Sequence, residues 1–303
     1  MLDVSAKPRT LRTATARARL HLHPATLARV HAGTIPKGNP LEVAKVAAVQ
    51  AAKQTSAIIP YCHPLPIDYV GVQYEFGDDW IDAIVSVKVM YRTGVEMEAM
   101  TAAAVAVLTL YDMMKMLDAD MSIGSVVLEK KRGGKNDFRT PYATPLRAAV
   151  LVMSDSISAG TKSDSSGRMI ADRLGAEGVS VEDYRIIPDD KDEIVRMLRL
   201  YADDTKLDLV MTTGGTGFSA RDCTPEAMAE VIDRHAPGIS EAARSYGQER
   251  TPFSMLSRAQ AGLRGHTLIV NLPGSKKGVA DSLDALFPGL LHSFKMIRGG
   301  GHE

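Results

Sequence analysis

Four polar or glycine-rich segments in the second half of the sequence have the residue types of an anion- and metal-binding site. Each follows a short apolar run and supplies carboxylates, hydroxyls or backbone amides without bulky side chains. Glycine runs let backbone N–H groups converge on a phosphate, and a nearby carboxylate can hold the cation that neutralises it. The candidate ligand-binding residues are Ser154, Asp155, Asp189, Gly214, Gly215, Thr216, Gly217, Pro273, Gly274 and Ser275.

Asp222 lies beside the glycine run, and Thr224-Pro225 then supplies the capping hydroxyl and the proline typical of a helix start. A carboxylate next to a phosphate-binding loop can hold Mg²⁺ for nucleotidyl transfer, with Asp189 as a second oxygen ligand. The alternative is structural, with Asp222 at a helix entry and Asp189 in a turn. The glycine run lacks the Gly-Lys-Ser/Thr sequence of a Walker loop. The pattern alone leaves both interpretations open.

The first half has a basic segment and a histidine held between prolines. Residues 4–41 contain seven Lys or Arg and no acid. This composition indicates a local positive field suited to a phosphate-bearing substrate, and the solvated face of a strand is the alternative. In the segment Pro60-Tyr61-Cys62-His63-Pro64, the adjacent Cys62 and His63 are poorly spaced to share one metal ion. A structural histidine is therefore the alternative to a catalytic one.

A long apolar helix is predicted over Val95–Leu117, with Glu96 and Glu98 at its start and Asp112 and Lys115 near its end. Glu98 and Asp112 are about fourteen residues apart, or roughly 21 Å of helix. One small pocket cannot use both ends of this helix from the same chain. If both ends are functional, the site combines two subunits, and we expect a homo-oligomer. For Asp112 and Lys115, a simple helical ion pair is the alternative.

The elements that position these residues indicate two domains of different class. In the first half, strands at Tyr69–Phe76 and Trp80–Tyr91 are predicted between helices at Pro40–Thr55 and Val95–Leu117, which favours an α+β domain. The second half alternates strictly, which predicts helical layers around a mostly parallel sheet. Its strands are predicted at 148–153, 179–187, 207–213 and 266–272, and its helices at 165–176, 190–203, 225–235 and 278–293.

Composition excludes several classes of protein. The 303 residues, 45% of them apolar, suffice for two cores, and the balance of 36 basic and 36 acidic residues argues against non-specific nucleic-acid binding. The distant Cys62 and Cys223 predict neither a disulfide framework nor a cysteine-based zinc site. The most apolar stretch, Ala99–Tyr111, is shorter than the roughly 20 residues of a membrane span. We therefore expect a soluble, cytoplasmic protein.

A change of composition marks a domain boundary. The stretch Glu129–Leu146 has paired glycines, two prolines and no apolar periodicity. We predict domains at 1–137 and 147–303, joined by a linker at 138–146.

The second half, over residues 147–298, resembles the MogA/MoaB family of molybdopterin-binding proteins. The resemblance rests on TTGGTGFSARDCTPEA, with VMSDS, RIIPDD, LSRAQAG and LIVNLPGS in that order along the chain. It implies a three-layer α/β fold, a trimer, and adenylylation of molybdopterin with ATP and Mg²⁺. Asp189 and Asp222 match the acidic positions of the family, which implies that both hold the metal and that Asp222 is catalytic. The strand-end residues named above are then implied to bind pterin or nucleotide. Lys276 departs from the proline that the family often has.

The first half, over residues 2–137, resembles the MoaC family of cyclic pyranopterin monophosphate synthases. The resemblance rests on LDVSAK, PKGNP, QAAKQT, IIPYCHPL, TGVEMEAMTAAAVAVLTLYDMMK and GGK. It implies a ferredoxin-like α+β hexamer with active sites between subunits, which rearranges cyclic dihydro-GTP with loss of pyrophosphate. Asn39 and Met114 depart from the family's usual aspartate and cysteine. The implied catalytic residues are His63, Asp112 and Lys115, and the implied substrate-binding residues are Arg12, Lys37, Lys53, Cys62, Glu96, Met97, Glu98 and Lys131.

The two resemblances imply a fusion of two enzymes of molybdenum cofactor biosynthesis whose steps are not consecutive. We expect small pterin and nucleotide substrates, and ATP and Mg²⁺ for the second half. No cofactor is firmly indicated for the first half. The expected assembly is a homo-oligomer, a hexamer with trimer contacts through the second half, and neither a nucleic acid nor a membrane is an expected partner. Two alternatives stay open: the second half is a non-catalytic pterin-binding or oligomerisation module, or the first is a GTP-binding regulator.

Overall fold

The computed structural model describes residues 1–301, and residues 302 and 303 of the predicted second domain lie outside the described residues. Contacts within the chain separate two compact units, Met1–Asp137 and Phe138–Glu303. Each unit has its own sheet and its own buried apolar core.

The segment predicted as a linker, 138–146, makes contacts within the second unit. The Tyr142 hydroxyl donates to the Leu291 carbonyl at 2.6 Å, and Thr140 Oγ1 lies 2.9 Å from His292 Nδ1. By these contacts the segment is part of the second unit.

The first unit contains a four-stranded antiparallel sheet. Its strands are β1 (Thr10–His21), β2 (Tyr69–Phe76), β3 (Trp80–Tyr91) and β4 (Ser122–Arg132). They lie in the order β2-β3-β1-β4. Alternate residues of β1 from Arg12 to Leu20 are buried, because successive side chains of a strand point to opposite faces. Because β4 extends to Arg132, the composition change that starts at Glu129 begins inside a strand.

Two long helices share one apolar core with this sheet. The helices of the unit are α1 (Pro24–His31), α2 (Pro40–Ile58) and α3 (Glu96–Met114). The Asn39 side chain caps α2 by accepting the backbone N–H of Leu41 at 3.0 Å and of Glu42 at 3.3 Å. Small side chains such as Ala48 and Ala103 are fully buried and let α2 and α3 pack closely. This arrangement confirms the predicted ferredoxin-like α+β fold.

Among residues 1–301, α3 is the one helix long and apolar enough to cross a membrane by length and composition. Half of that apolar window is buried inside the unit. Its buried side chains, among them Val107 and Leu110, belong to the core that α3 forms with the sheet. A core helix passes the same test, so the length and composition of α3 are weak support for a membrane span.

The second unit contains a six-stranded, mostly parallel sheet, as predicted. Its strands are β5 (Arg147–Met153), β6 (Ser180–Ile187), β7 (Leu209–Thr213), β8 (Arg234–His235), β9 (Ala261–Arg264) and β10 (Thr267–Leu272). The order is β6-β5-β7-β10-β9-β8; the first four strands are parallel, β9 runs antiparallel to β10, and β8 runs antiparallel to β9. The prediction of strict alternation is therefore wrong between β7 and β10.

Helices cover both faces of this sheet. They are α4 (Asp155–Ser158), α5 (Ser166–Ala176), α6 (Lys191–Arg199), α7 (Thr224–Val231), α8 (Pro237–Gln248), α9 (Lys276–Leu286) and α10 (Ser293–Ile297). Val150 of β5 packs with α5 and α9, whereas Leu151 packs on the opposite face with α6 and α7. The three-layer prediction is confirmed. The helix predicted at 225–235 ends at Val231, and the one predicted at 278–293 ends at Leu286, shortly before Pro288.

Candidate active sites

The strand ends of the second unit bring together Asp155 and Asp189, two of the candidate ligand-binding residues. Asp155 follows β5 and Asp189 follows β6, at the same edge of the sheet. The Asp155 backbone N–H donates to Asp189 Oδ2 at 3.1 Å, and the Asp189 N–H donates to Asp155 Oδ1 at 3.2 Å. Ser154 caps α4 by accepting the Ile157 N–H at 3.3 Å, so its hydroxyl shapes this turn. The two carboxylates are therefore fixed by reciprocal bonds.

The glycine loop after β7 has a backbone that only glycine adopts easily. Gly214 and Gly215 have φ values of 106° and 62°. A Cβ at Gly214 would lie 2.2 Å from the Met153 carbonyl oxygen. The fully buried Thr224 donates its hydroxyl to the Gly214 carbonyl at 3.1 Å, and its backbone N–H to the Gly215 carbonyl at 3.3 Å. The start of α7 thus fixes the loop, whose next residue, Thr216, is also buried.

Asp222 completes an acidic cluster beside this loop. Its Oδ2 accepts the Ser219 N–H at 2.9 Å, and a Cβ at Gly217 would lie 2.9 Å from the same oxygen. Burial raises the pKa of Asp189, and the negative charges of Asp155 and Asp222 raise it further. Arg221 forms an ion pair with Asp155 and offsets part of this charge. The cluster is an environment that favours a bound cation.

Whether these residues suit Mg²⁺ depends on how many protein ligands the ion needs. Within residues 1–301 there is no group of three or more His, Cys, Asp or Glu side chains placed to hold a metal ion. Mg²⁺ often takes only one or two carboxylates and fills its remaining positions with phosphate oxygens and water. A Cβ at Gly215 would lie 3.4 Å from Asp189 Oδ1, so glycine leaves room beside this carboxylate. The donor types therefore fit a Mg²⁺ that is carried by a nucleotide and needs only one or two protein carboxylates.

The loop after β10 packs against the glycine loop. The Thr213 hydroxyl donates to the Pro273 carbonyl at 2.6 Å, and the Ser166 hydroxyl donates to the Gly274 carbonyl at 3.1 Å. Ser275 caps α9 by accepting the Gly278 N–H at 3.1 Å. Sequence reasoning missed Thr213 and Ser166, which no local pattern connects with this loop.

A cavity of about 240 Å³ borders the same loop, between α8, α9 and β10. Its wall includes apolar side chains such as Ile239 and Leu286 and polar groups such as Ser275. Asn271, which is 2% exposed, is also part of this wall; its side-chain amide donates to Thr212 Oγ1 at 3.0 Å, and its Oδ1 accepts no hydrogen bond from the described residues. No sequence pattern predicted this cavity.

In the first unit, three predicted residues meet at the end of α3. Lys115 Nζ lies 2.8 Å from Asp112 Oδ1, and Lys37 Nζ donates to Asp112 Oδ2 at 2.9 Å and to its carbonyl at 2.7 Å. The hydrogen bond from Lys115, then that from Lys37, lowers the pKa of Asp112 to about 2. In turn, Asp112 raises the pKa of Lys115. Lys115 is therefore a protonated amine at neutral pH, the form that carries a proton to donate.

The start of α3 borders a second set of predicted residues. A cavity of about 640 Å³ is lined by Cys62, His63, Met97 and Glu98, together with the N-terminal residues. Glu98 is 4% exposed, and burial raises its pKa. Burial also raises the pKa of the Cys62 thiol. His63 Nε2 lies 2.9 Å from the carbonyl oxygen of Leu2.

A neighbouring cavity of about 400 Å³ is rich in cations. Arg12 is 7% exposed and donates to the carbonyls of Tyr91 at 3.4 Å and Arg92 at 3.2 Å, while burial lowers its pKa. Lys131 lies 3.3 Å from Glu96. Lys7 belongs to the basic segment of residues 4–41, and no sequence pattern indicated Arg132 or Lys135. The basic residues that line this cavity are Lys7, Arg12, Lys131, Arg132 and Lys135.

The structure does not bring all predicted residues of the first unit into one place. Lys37 contacts Asp112 at the end of α3, whereas Arg12 lines the cationic cavity near its start. Lys53 is exposed on α2 and lines neither of the two cavities. Lys37, Lys53 and Asp112 are exposed on the single chain, whereas Arg12 is buried.

Comparisons with known proteins match both halves of the chain. The MoaC family matches residues 1–134, and the family described as a probable molybdopterin binding domain matches residues 149–292. A molybdenum cofactor biosynthesis bifunctional protein of Chlorobaculum tepidum is 41% identical over 100% of this chain and 96% of its own length. A cyclic pyranopterin monophosphate synthase of Brevibacillus brevis is 51% identical over 46% of this chain and 88% of its own. The crystal structure of the molybdopterin biosynthesis enzyme MoaB of Thermus thermophilus is 42% identical, with a TM-score of 0.49 over 52% of this chain and 99% of that one.

The Chlorobaculum tepidum protein matches this chain from end to end, through both units, at an identity too high for a shared fold alone. The chain therefore belongs to the family of bifunctional molybdenum cofactor biosynthesis proteins, with a MoaC-family unit followed by a molybdopterin-binding unit of the MogA/MoaB type.

Proposed function

We propose that the chain is a bifunctional enzyme. The first unit converts cyclic dihydro-GTP to cyclic pyranopterin monophosphate and releases pyrophosphate, and the second unit adenylylates molybdopterin with ATP and Mg²⁺. The name of the Brevibacillus brevis relative supports the first activity. The observation that carries the proposal is the meeting of Asp155, Asp189 and Asp222 with two glycine-containing loops at one sheet edge.

In the first unit, Lys115 serves as the proton donor. Its charged form is favoured by Asp112, whose carboxylate is in turn held by Lys37. A protonated amine can supply a proton during the ring rearrangement, after which Asp112 stabilises its reprotonated form. Glu98 and His63 line the cavity at the opposite end of α3, where they orient the substrate and relay protons.

The cationic cavity holds the departing pyrophosphate. Arg12 is buried, donates to two carbonyls, and has the carboxylates of Glu96 and Asp137 nearby. Its remaining guanidinium N–H groups can donate to a phosphate oxygen. Lys7, Lys131 and Lys135 supply further positive charge from the cavity wall. Lys37, which the sequence suggested for the same task, is instead engaged with Asp112.

A complete first site needs a second copy of the chain. Glu98 and Asp112 lie on one helix about fourteen residues apart, or roughly 21 Å. Because this distance exceeds a small pocket, one copy supplies the residues at the start of α3 and its neighbour supplies those at the end. We propose a hexamer, with trimeric contacts between the second units.

In the second unit, the glycine loop holds the phosphates of ATP, and the cavity between α8 and α9 holds a flat heterocycle. Asp189 and Asp222 hold Mg²⁺, which when bound offsets the charge that develops on the transferred phosphate. Asn271 offers a buried acceptor, and Ser275 a hydroxyl, to the ring nitrogens of a pterin. Cys62 and Cys223 are both free thiols, as is usual in a reducing compartment, so we place the enzyme in the cytoplasm.

The test uses the full chain with the Asp222→Asn substitution, which keeps the size of the side chain and removes its charge. Adenylylated molybdopterin should be lost while molybdopterin affinity and formation of cyclic pyranopterin monophosphate are retained. Transfer near the wild-type rate would rule out a metal role for Asp222. A wild-type chain that binds molybdopterin tightly and forms no adenylylated product would identify the second unit as a binding module.

A further inference from the structure

Arg258 joins three separate segments of the second unit's site. Its Nε donates to the Gly217 carbonyl at 2.7 Å, its Nη2 donates to the Asp222 carbonyl at 2.5 Å, and its Nη1 pairs with Glu226 of α7. Its own backbone N–H donates to the Thr216 carbonyl at 2.9 Å. All three nitrogens of the guanidinium are thus engaged, each with a different segment.

We propose that Arg258 is a positioning residue for adenylyl transfer, setting the glycine loop and Asp222 at the separation that the phosphates and the cation require. The proposal rests on the proposed function of the second unit. Arg258 bonds the backbone behind the ligand-facing groups, so it acts through Gly217 and Asp222 and not on the substrate itself.

The close approach of the loop to Asp222 explains why a clamp is needed. A Cβ at Gly217 would lie 2.9 Å from Asp222 Oδ2, so the loop backbone and the carboxylate are almost in contact. Local bonds close only the Asp222 turn, through the Ser219 N–H to the carboxylate at 2.9 Å and the Asp222 N–H to the Ser219 carbonyl at 3.0 Å. Thr224 holds the loop at Gly214 and Gly215. Arg258 bonds the later part of the loop, at Gly217, together with the turn at Asp222.

The chemistry of arginine suits this task and that of lysine does not. A guanidinium presents five N–H donors in a rigid planar fork, whereas an ammonium has three donors on a single nitrogen. Lysine at this position would keep the positive charge and reach one or two of the carbonyls. Arg258→Lys should therefore restore part of the function that Arg258→Ala loses.

Arg264 provides a matched control in the same unit. Its guanidinium also bonds several groups, namely the Asp203 carboxylate at 2.7–3.0 Å and the Val231 carbonyl at 3.1 Å. Its side chain is 24% exposed, against 32% for Arg258. Val231 ends α7, whereas Glu226 lies in its first turn, so the two arginines hold opposite ends of one helix.

The experiment compares Arg258→Ala, Arg258→Lys and Arg264→Ala in the full chain. Arg258→Ala should lower the rate constant for adenylyl transfer about 100-fold, the order expected for a displacement of about 1 Å. It should also raise the Mg²⁺ concentration for half-maximal rate, with molybdopterin affinity changed less than threefold. Arg258→Lys should recover part of the rate, and Arg264→Ala should match the wild type in rate and Mg²⁺ dependence.

Two results would overturn the proposal: a transfer rate within threefold of wild type in Arg258→Ala, or an equal loss of rate in Arg264→Ala. If Arg258→Ala fails to fold, Arg258→Lys tests the proposal instead. A wild-type rate and a wild-type Mg²⁺ dependence in Arg258→Lys would contradict a role for the planar guanidinium. If the wild-type chain transfers no adenylyl group, the proposed function fails. Amide hydrogen exchange then decides the inference. Faster exchange over residues 214–222 in Arg258→Ala than in Arg264→Ala supports the clamp, and equal exchange overturns it.

Discussion

Replacing Gly215 by alanine tests the glycine loop most directly. The φ of 62° places this residue in the left-handed region, which costs a residue with a Cβ roughly 1–2 kcal/mol. The added Cβ would also lie 2.3 Å from Thr224 Oγ1. Thr224 is fully buried, and its hydroxyl is bonded to the Gly214 carbonyl at 3.1 Å, so it has little room to move. Overpacking of this kind typically adds about 1–3 kcal/mol.

Together these effects should lower the free energy of unfolding of the second unit by about 2–5 kcal/mol. For a unit of this size, each kcal/mol corresponds to roughly 2–4 °C in Tm. Calorimetry on the full chain should therefore show the transition of the second unit lowered by roughly 4–20 °C. Adenylyl transfer should fall at least about tenfold because the phosphate-binding backbone is displaced. Formation of cyclic pyranopterin monophosphate should be unchanged, since its residues belong to the first unit.

Gly238→Ala is the matched control for this substitution. A Cβ at Gly238 meets nothing within 4 Å, and the residue lies in α8 without a positive φ. This change should leave both activities intact and stabilise the unit slightly, by about 0.5–1 kcal/mol. If Gly215→Ala has the same Tm and the same rate of adenylyl transfer as Gly238→Ala, the loop backbone does not require glycine at position 215.

Three further predictions concern the first unit. Lys115→Ala should abolish formation of cyclic pyranopterin monophosphate without loss of assembly, and near wild-type turnover in an intact oligomer would exclude Lys115 as the proton donor. A chain with Glu98→Ala and a chain with Asp112→Ala should each be inactive alone. When the two are co-assembled, part of the activity should return, because one shared pocket then has both wild-type residues. Verified mixed oligomers without activity would argue against a shared site. Asp112 raises the pKa of Lys115, so Asp112→Asn should lower that pKa. In the pH–rate profile, the alkaline loss of residual activity should then move to lower pH. An alkaline limb at the wild-type position would contradict this prediction.

In the first unit, the sequence predicted β2 and β3 but not β1 or β4. β2 and β3 have the predicted bounds, because alternating apolar runs define a strand without help from distant residues. β8 and β9 were not predicted, since they are short and pair antiparallel with neighbours set by the rest of the sheet. The long helix predicted at 278–293 ends at Leu286, shortly before Pro288, which lacks a backbone N–H to continue it.

The candidate sites also contain some contacts that the sequence predicts and others that it does not. Asp155 and Asp189 could be predicted to meet because the carboxyl ends of neighbouring parallel strands share one edge. The contact of Arg258 with Gly217 could not be predicted, because the two residues lie 41 positions apart and Arg258 follows no strand of the parallel part of the sheet. Nor does any spacing indicate that Arg12 is buried beside the cationic cavity while Lys53 stays exposed. These outcomes depend on side-chain contacts between distant segments.

The two sites differ in how much of each a single chain supplies. In the second unit, the strand ends bring loops from four strands to one edge, so the carboxylates, the glycine loop and the Arg258 clamp all lie in one copy. In the first unit, α3 separates Glu98 from the Asp112 and Lys115 pair by roughly 21 Å. A helix that packs its apolar residues in the core cannot also bend its two ends into one pocket. A neighbouring copy can bring the other end of its own α3 to the cavity. Under the proposed function, the first unit therefore takes its site residues from two copies of the chain, whereas those of the second unit lie in one copy.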